Sequence, residues 1–542
     1  MIDTYKQILI SEQELTQDEL NSLGVTSINE DLYEIDTALH VARVEADGGT
    51  IADLTQLKAD TQAVQDLEPT LLISAGGGFK AGKLYSVKPN DGSGDFAVVR
   101  AGTTAYTQNP DGTWRPAVAD EPRYTYENGV PAILIEGAAM NLVSRFRTFP
   151  HSNWTKTNGR IEGDPNPSTP ELGTNYGAVG QTDWVDSNSD GIADGVLVGA
   201  GADLTIGSIV TGNGFTGNAQ RLQENNASNK LFVRLASSIA AGSLVSVALK
   251  YRSNVVIQSS GTSEFILLKS IPVNEGNAQS ITTFFYVNNN TTVISFYSNA
   301  LENCFFEIDE VSIKVTTGFD SPFVDANGVN QKDAYKFVAT GANANLKLTT
   351  AATVVSTTVY TNFLFIKRIT GTGNVFIEDI NDTDRAITVT PEWTQVSYSV
   401  AASSTSGQIG IKLATSGDEV MICHAQMVAS TVVSSPIGGA EGSQQTRNAD
   451  VDTLTYALPT SGTIRFRGYF PENYPLQINA CVAEVSGWKD IRYVYSGTNQ
   501  KLYVDEVLID EVNIAADFTE MTGLTFQAEN GNEFPFTNFS IQ

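Results

Sequence analysis

The residues best able to do chemistry in this 542-residue chain form an oxygen-rich run that begins at Asp186. Carboxylate and amide side chains recur at its first, third, fifth and ninth positions, and Gly191 stands sixth, where a calcium loop turns sharply. The seventh position would supply a backbone carbonyl. The expected ligands are Asp186, Asn188, Asp190, Ile192 and Asp194. Leu197 replaces the glutamate expected twelfth, so only the first part of the motif is present. We expect a structural Ca²⁺; the alternative is a loop that satisfies its own backbone through Asx turns.

Aromatic rings are the second candidate chemistry, because an exposed ring can stack on a sugar while polar neighbours bond its hydroxyls. The available rings include Trp154, Trp184, Trp393, Trp488, Tyr493 and Tyr495. Trp488 precedes Lys489 and Asp490 in a predicted turn, so it is the ring most expected to be exposed. We predict a glycan-binding site at Trp488, Tyr493 and Tyr495. The alternative for each ring is a place in the core or at its rim.

Catalytic residues are poorly represented. The three histidines are His40, His151 and His424, and none stands in a nucleophile motif such as G-x-S-x-G. Carboxylates are abundant, so counting alone leaves a hydrolase pair open, but no pair is singled out. We expect a protein that is not an enzyme.

The charge balance restricts the partners. The chain has 33 basic and 61 acidic residues, for a formal net charge of −28. Phosphate backbones and anionic membrane surfaces both require cationic protein surfaces, so we expect no nucleic-acid partner. No apolar run approaches the length of a membrane span, and we expect no membrane insertion. The first residues lack a basic region followed by an apolar core, so synthesis in a cytosol is expected.

The elements that would position these residues differ between the two parts of the chain. Residues 1–70 carry helix signals, including a capping-box pattern at Ser11–Glu14 and an apolar stripe between Ile51 and Leu67. After residue 70, alternating runs such as Thr394–Val400 are typical of half-buried strands. Turn signals such as Pro110-Asp111-Gly112 separate them. We predict a mainly β protein of tandem antiparallel β-sandwich or jelly-roll domains, after a short helical N-terminal attachment segment.

Two stretches, 219–315 and 334–428, have the same pattern. Ala219 corresponds to Ala334 and Ala248 to Phe363, both at an offset of 115. In the closing strand, Ile308 corresponds to Ile422 at an offset of 114. A strand-rich module that is duplicated without a shared reactive residue favours binding or spacing over catalysis.

Several linked elements follow one another along the chain after residue 70. They are, in chain order, Gly82–Val87 with Pro89–Phe96, Arg100–Thr103, Glu121–Tyr126, Pro131–Glu136, Asn141-Leu142, Asn153–Thr157, Ala425-Gln426 and Thr446–Asp450. In this order they resemble the elements of tailed-bacteriophage fibre and spike proteins. The resemblance covers residues 70–542. It implies jelly rolls like carbohydrate-binding modules, followed by a lectin- or laminin-G-like sandwich. In modules of this kind an acidic residue on the closing strand can ligate a structural Ca²⁺, which would add Asp309 to the metal ligands.

The resemblance also implies a function. The chain would be a non-enzymatic virion structural protein, a head or tail fibre or spike, assembled in the bacterial host cytoplasm and exposed on the exterior of the virion. Its N-terminus would dock on capsid, collar or baseplate proteins, and its distal domains would hold host surface glycans. Trimerisation is expected from the resemblance. Two alternatives stay open: a capsid decoration protein without glycan binding, and a polysaccharide depolymerase tailspike.

The expected domains follow one another along the chain. They are a helical attachment and oligomerisation segment at 1–70, a small β connector at 71–145, a first jelly roll with the calcium loop at 146–316, a second jelly roll at 317–435 and a C-terminal lectin-like sandwich at 436–542.

Overall fold

The structure is a computed structural model. It describes residues 71–541 except 75–78, 81, 88, 90, 128, 166–168, 170–171, 173–183, 185, 187–188, 190–192, 194–195, 199–206, 225–229, 259–264, 268–269, 299–303, 432, 455–460, 479–480, 497–498, 514–523 and 528–532. The helical attachment segment predicted at 1–70 lies outside the described residues and stays a prediction.

The described part of the chain is mainly β, as predicted, and its strand ladders are antiparallel. It forms three sandwiches, which we name inner, middle and terminal. None of the described residues forms a helix with the length and apolar character needed to cross a bilayer.

The described residues of the inner sandwich form ten strands in two sheets. The strands are β12 (Val196–Val198), β13 (Gly207–Thr211), β14 (Asn218–Glu224), β15 (Lys230–Ile239), β16 (Leu244–Ser253), β17 (Ile257–Gln258), β18 (Phe265–Leu267), β19 (Asn274–Val287), β20 (Thr291–Ser298) and β21 (Cys304–Thr316). One sheet has the order β13-β14-β21-β16-β19-β18 and the other β12-β15-β20-β17. Buried residues of both sheets, such as Val247 and Phe296, share one core.

The middle sandwich has the same design. Its strands are β10 (Trp154–Thr157), β11 (Gly159–Glu162), β22 (Tyr335–Ala339), β23 (Ala344–Thr353), β24 (Val359–Thr370), β25 (Val375–Glu378), β26 (Asp384–Ile387), β27 (Thr394–Ala401), β28 (Ser406–Leu413) and β29 (Glu419–Val428). The sheets have the orders β11-β22-β29-β24-β27 and β10-β23-β28-β25-β26. Trp154 from one sheet and Ile422 from the other are both buried in its core.

The strand orders confirm the predicted repeat. β14, β21, β16 and β19 of the inner sandwich occupy the places that β22, β29, β24 and β27 occupy in the middle one. The closing strands also share an irregularity. The register of β21 against β16 shifts beside Glu310, and that of β29 against β24 shifts beside His424. Both residues have positive φ, 49° and 48° respectively.

The terminal sandwich is built from both ends of the described chain. Its strands are β1 (Leu71–Ser74), β2 (Phe79–Lys80), β3 (Lys83–Leu84), β4 (Phe96–Val99), β7 (Arg123–Glu127), β8 (Val130–Glu136), β31 (Val451–Leu454), β32 (Ser461–Ile478), β33 (Cys481–Ser496), β34 (Asn499–Val504), β35 (Val507–Asn513), β36 (Leu524–Gln527) and β37 (Glu533–Ile541). One sheet runs β35-β34-β33-β32-β37-β8-β7, with β1 also on β37, and the other runs β2-β3-β4-β31-β36.

Two short ladders complete the description. β5 (Tyr106–Gln108) pairs with β6 (Trp114–Pro116), and β9 (Ala139–Asn141) pairs with β30 (Gln445–Arg447). The second ladder ties the chain entering the middle sandwich to the chain leaving it.

The sandwiches are therefore nested, and the linear boundaries predicted from the sequence differ from the strand pairing. β10 and β11 were expected in the jelly roll at 146–316, but they pair with β23 and β22 of the middle sandwich. β7 and β8 were expected in a separate connector at 71–145, but β8 pairs with β37 of the terminal sandwich. The physical reason is that a strand stays in the sheet that completes its hydrogen bonds, however distant its partner is in sequence.

The chain enters and leaves the inner sandwich at one place. The Asp164 amide donates to the Thr317 carbonyl at 3.2 Å, and the Thr316 hydroxyl donates to the Asp164 carbonyl at 2.7 Å. Leu244 and Phe284 of the inner sandwich belong to the core cluster of the middle one. The insertion is thus packed onto its host as well as linked to it.

Candidate functional site

The predicted calcium loop is described only in part. Asn188, Asp190, Ile192 and Asp194 lie outside the described residues, so the calcium prediction stays a prediction. Within the described part of the chain, no group of three or more His, Cys, Asp or Glu residues could hold a metal ion. Ala193 is buried, and its amide donates to Gln220 Oε1 at 2.7 Å, which fastens the end of the run to β14.

Asp309 has a defined hydrogen-bonding role. It is 5% exposed, and its Oδ1 accepts from the Trp184 indole nitrogen at 2.9 Å and from the Glu310 amide at 2.8 Å. Trp184 is buried. The carboxylate therefore satisfies the polar end of a buried indole and an amide at the bulge. Its predicted role as a calcium ligand is untested.

Two of the three predicted glycan-binding rings are inaccessible. Tyr493 and Tyr495 are 0% and 1% exposed, and their rings stack at 5.7 Å in the terminal core. The Tyr493 hydroxyl donates to Gln500 Oε1 at 2.8 Å. The prediction that these tyrosines bind glycan is wrong, because the strand alternation of β33 turns them inward.

Trp488 is partly exposed, as expected, but it lies within β33 and not in the predicted turn. The preceding Gly487 has a positive φ of 72°, and the register of β33 against β32 shifts beside it. The glycan-binding role of Trp488 stays a prediction. The guanidinium carbon of Arg467 lies 5.8 Å from the centre of its ring, and Arg467 also lies 3.6 Å from Asp490 Oδ2. Exposed charges surround a ring that can still be reached from solvent.

The tryptophan face consists of Trp488 and the outward side chains of the strands beside it. Arg492 lies over the ring of Tyr503 at 3.7 Å and forms an ion pair with Glu506 at 2.9 Å. Together the face offers a ring, guanidinium donors and carboxylate acceptors. A sugar has an apolar C–H face and hydroxyls that both donate and accept, so this set suits a glycan.

The structure also contains a buried cluster of charged side chains, which we name the charge cluster. It consists of Arg100, Arg123, Glu136, Arg447 and Asp450, all at most 3% exposed. Arg123 contacts both Glu136 and Asp450. Arg447 lies 2.9 Å from Glu136, and Arg100 lies 3.1 Å from Asp450. Five charged groups are thus removed from water together, which is favourable only with this degree of pairing.

The pKa values of the arginines follow from this arrangement. Burial lowers the pKa of Arg100, and the nearby Arg123 lowers it further. Burial also acts to lower the pKa of Arg123, but the adjacent Asp450 and Glu136 outweigh it, so that pKa ends above its ordinary value. Arg123 is the centre of the cluster because it contacts both carboxylates.

The charge cluster joins the middle and terminal sandwiches. Glu136 ends β8, and Asp450 directly precedes β31, so the two acids mark where the chain leaves and rejoins the terminal sandwich. The Glu136 amide donates to Asp450 Oδ2 at 3.0 Å, and the Ser435 amide donates to Glu136 Oε1 at 2.7 Å. The sequence elements that carry the phage resemblance contain all five charged residues, but no local pattern in the sequence indicates that they meet.

His424 is the one described histidine that is fully buried. Its ring is surrounded by Tyr106, Phe146, Phe323, Phe363 and Phe365 at centroid distances of 5.0–6.4 Å. Nε2 lies 3.2 Å from Gln426 Oε1. Burial lowers the pKa of His424 to about 3, and the charge of Arg147 adds to the effect. A neutral imidazole in this cage is suited to packing.

The strand pairing defines the class of this protein as a mainly β chain of antiparallel sandwiches. No family model matches the chain, and no curated protein matches it. Among solved structures it is similar to the N-terminal CBM22-1–CBM22-2 tandem domain of Xyn10C from Paenibacillus barcinonensis, at 8% identity and a TM-score of 0.23. The match covers 50% of this chain and 100% of that one. A TM-score this low does not establish a shared fold.

Proposed function

We propose that this chain is a non-enzymatic structural protein of a tailed-bacteriophage virion, a head or tail fibre or spike that docks by its N-terminus and displays jelly-roll domains to host surface glycans. The observation that carries the proposal is the charge cluster. The elements that resemble phage fibre proteins lie far apart in sequence, yet their charged residues Arg100, Arg123, Glu136, Arg447 and Asp450 form one buried network.

The mechanical consequence of nesting supports the same proposal. Each inserted sandwich is attached by two chain segments, and the junction below the middle sandwich is further held by the β9–β30 ladder. A projecting appendage must carry load between its particle and its host. Paired attachments and a buried ion network resist bending better than a single linker would.

The tryptophan face is the proposed adhesive surface. Trp488 supplies the stacking ring, Arg467 and Arg492 the donors, and Asp490 and Glu506 the acceptors. Most of these charges are already paired at the surface, so a neutral or weakly charged glycan suits the face better than a polyanion.

The test compares the wild-type protein with Trp488→Ala on a glycan array and in competition with phage adsorption. We expect the wild-type protein to bind host glycans and block adsorption, and Trp488→Ala to lose most of both. Presence on purified particles without any array binding would favour the decoration alternative. Release of reducing sugar from host polysaccharide would favour the depolymerase alternative.

A further inference from the structure

A groove runs along β19 on the outer side of the inner sandwich and ends at its junction with the middle sandwich. It consists of two adjoining cavities of about 250 Å³ and 390 Å³, which share Thr282 in their walls. Together they fall within the volume range of sites that hold small organic ligands.

The first cavity is polar. Lys250 Nζ lies 3.6 Å from Glu310 Oε1 and donates to the Thr216 hydroxyl at 3.4 Å. Glu310 is half-exposed, and Ser280 is exposed on the same wall. This end therefore presents hydroxyl groups together with an ammonium and a carboxylate, and the charges of the last two balance.

The second cavity is mainly apolar, with one ionic side. Phe284, Phe319, Ile369 and Met421 line it, and Ile369 is 44% exposed. On the ionic side, Lys336 Nζ lies 2.9 Å from Glu162 and 3.5 Å from Glu419.

The internal repeat shows that the surface equivalent to the first cavity is filled in the middle sandwich and open in the inner one. Lys250 corresponds to Phe365 and Glu310 to His424 in the middle sandwich, where Phe323 packs on both. The middle sandwich thus fills the equivalent surface with aromatic side chains of its own chain. In the inner sandwich the same positions are polar and line a cavity.

We propose that this groove is a second carbohydrate site, which takes a neutral oligosaccharide. An apolar wall suits the C–H face of a sugar, and the paired Lys250–Glu310 and Lys336–Glu162 groups suit its hydroxyls as donors and acceptors. A charged ligand would have to break these pairs, and a wholly apolar ligand would desolvate them without compensation. The site deepens the proposed glycan-binding function but is separate from the tryptophan face.

The test uses the full chain on an array of neutral bacterial oligosaccharides. Ser280→Trp places a large ring in the groove, and Gln279→Trp places the same ring on the adjacent exposed position, which does not line it. We expect the binding that persists in Trp488→Ala to fall at least about tenfold in Trp488→Ala/Ser280→Trp, a loss of about 1.4 kcal/mol. We expect it to be unchanged in Trp488→Ala/Gln279→Trp.

Equal binding by the two double variants would overturn the groove site, and so would the absence of any binding in Trp488→Ala. If Ser280→Trp lowers the melting temperature, Glu310→Gln replaces it and should weaken binding in the same way. Groove binding by a protein that is absent from virions would refute the proposed virion role but support the groove as a carbohydrate site. A protein that is present on virions but does not bind sugar in the groove would support the virion role and refute the groove site.

Discussion

Glu310 and His424 occupy the same bulge in the two repeated sandwiches, 114 residues apart, and both have positive φ near 50°. The backbone irregularity is shared, but the side chains have opposite environments: Glu310 is half-exposed at the mouth of the groove, and His424 is buried among aromatic rings. The repeat therefore keeps a backbone geometry while one copy uses it at a surface and the other in a core.

Nesting predicts which deletion the protein tolerates. Removal of 165–316, with Asp164 joined to Thr317 through two glycines, should leave the middle and terminal sandwiches folded, because the Asp164 amide already donates to the Thr317 carbonyl at 3.2 Å. Some loss of stability is expected, since Leu244 and Phe284 leave the middle core. The measurement is circular dichroism with thermal melting.

The matched control is removal of 146–316, the linear jelly-roll boundaries. It deletes β10 and β11 from the middle sandwich and should prevent cooperative melting. Equal melting of the two deletions would contradict the nested arrangement.

The charge cluster predicts a large effect from a small substitution. Glu136→Gln leaves Arg123 and Arg447 without one of their buried counter-charges, and we expect a loss of about 3–5 kcal/mol in the free energy of unfolding. Denaturant unfolding measures it. Lys332→Gln breaks the exposed Lys332–Asp320 pair and should change little. Similar effects of the two substitutions would show that the cluster does not hold the sandwiches together.

His424 predicts a pH dependence of stability. Its pKa is about 3 in the folded protein and near 6.5 when unfolded, so the folded state binds fewer protons between these values. Its stabilising contribution is complete above pH 6.5 and falls as the pH is lowered toward 3, by about 1.4 kcal/mol per pH unit.

His424→Asn removes this titration and tolerates the positive φ, because asparagine readily adopts it. The slope of unfolding free energy against pH should be shallower in the variant between pH 6.5 and 3. Identical slopes would mean that His424 is not held neutral in the core.

Substitutions at two aspartates, Asp190 and Asp309, test the predicted Ca²⁺ site. Asp190→Ala should abolish any rise in melting temperature caused by Ca²⁺, because Asp190 is a predicted ligand of the loop. Asp309→Asn should lower the melting temperature through its contact with Trp184, and as a predicted ligand it should also reduce the Ca²⁺-dependent rise. An unchanged rise would leave Asp309 with its structural contact alone.

The local features of the fold could be predicted from the sequence. The offsets of 115 and 114 matched equivalent strands, and the turn predicted at Pro110-Asp111-Gly112 is present, with Gly112 at φ 84° and the Asp111 carboxylate accepting from the Thr113 amide. These features depend on neighbouring residues, and a single sequence carries that information.

The nested topology could not be predicted, because it depends on partners that are distant along the chain. Trp154 pairs with Leu348, and Glu136 with Glu533, and nothing in the local pattern of either strand identifies its partner. The wrong prediction for Tyr493 and Tyr495 has a related cause. Alternation identifies two faces of a strand but not which one is buried, and packing of the whole sheet decides it.

The most direct test of the proposed virion role is electron microscopy of purified particles that carry one gold label at residue 1 and another in the exposed loop at Asn289-Asn290 of the inner sandwich, the last of the nested insertions. We expect both labels on every particle, with the first at the particle body and the second at the outer end of an appendage. Particles that lack both labels, with the protein recovered only as a free species from the host, would contradict it.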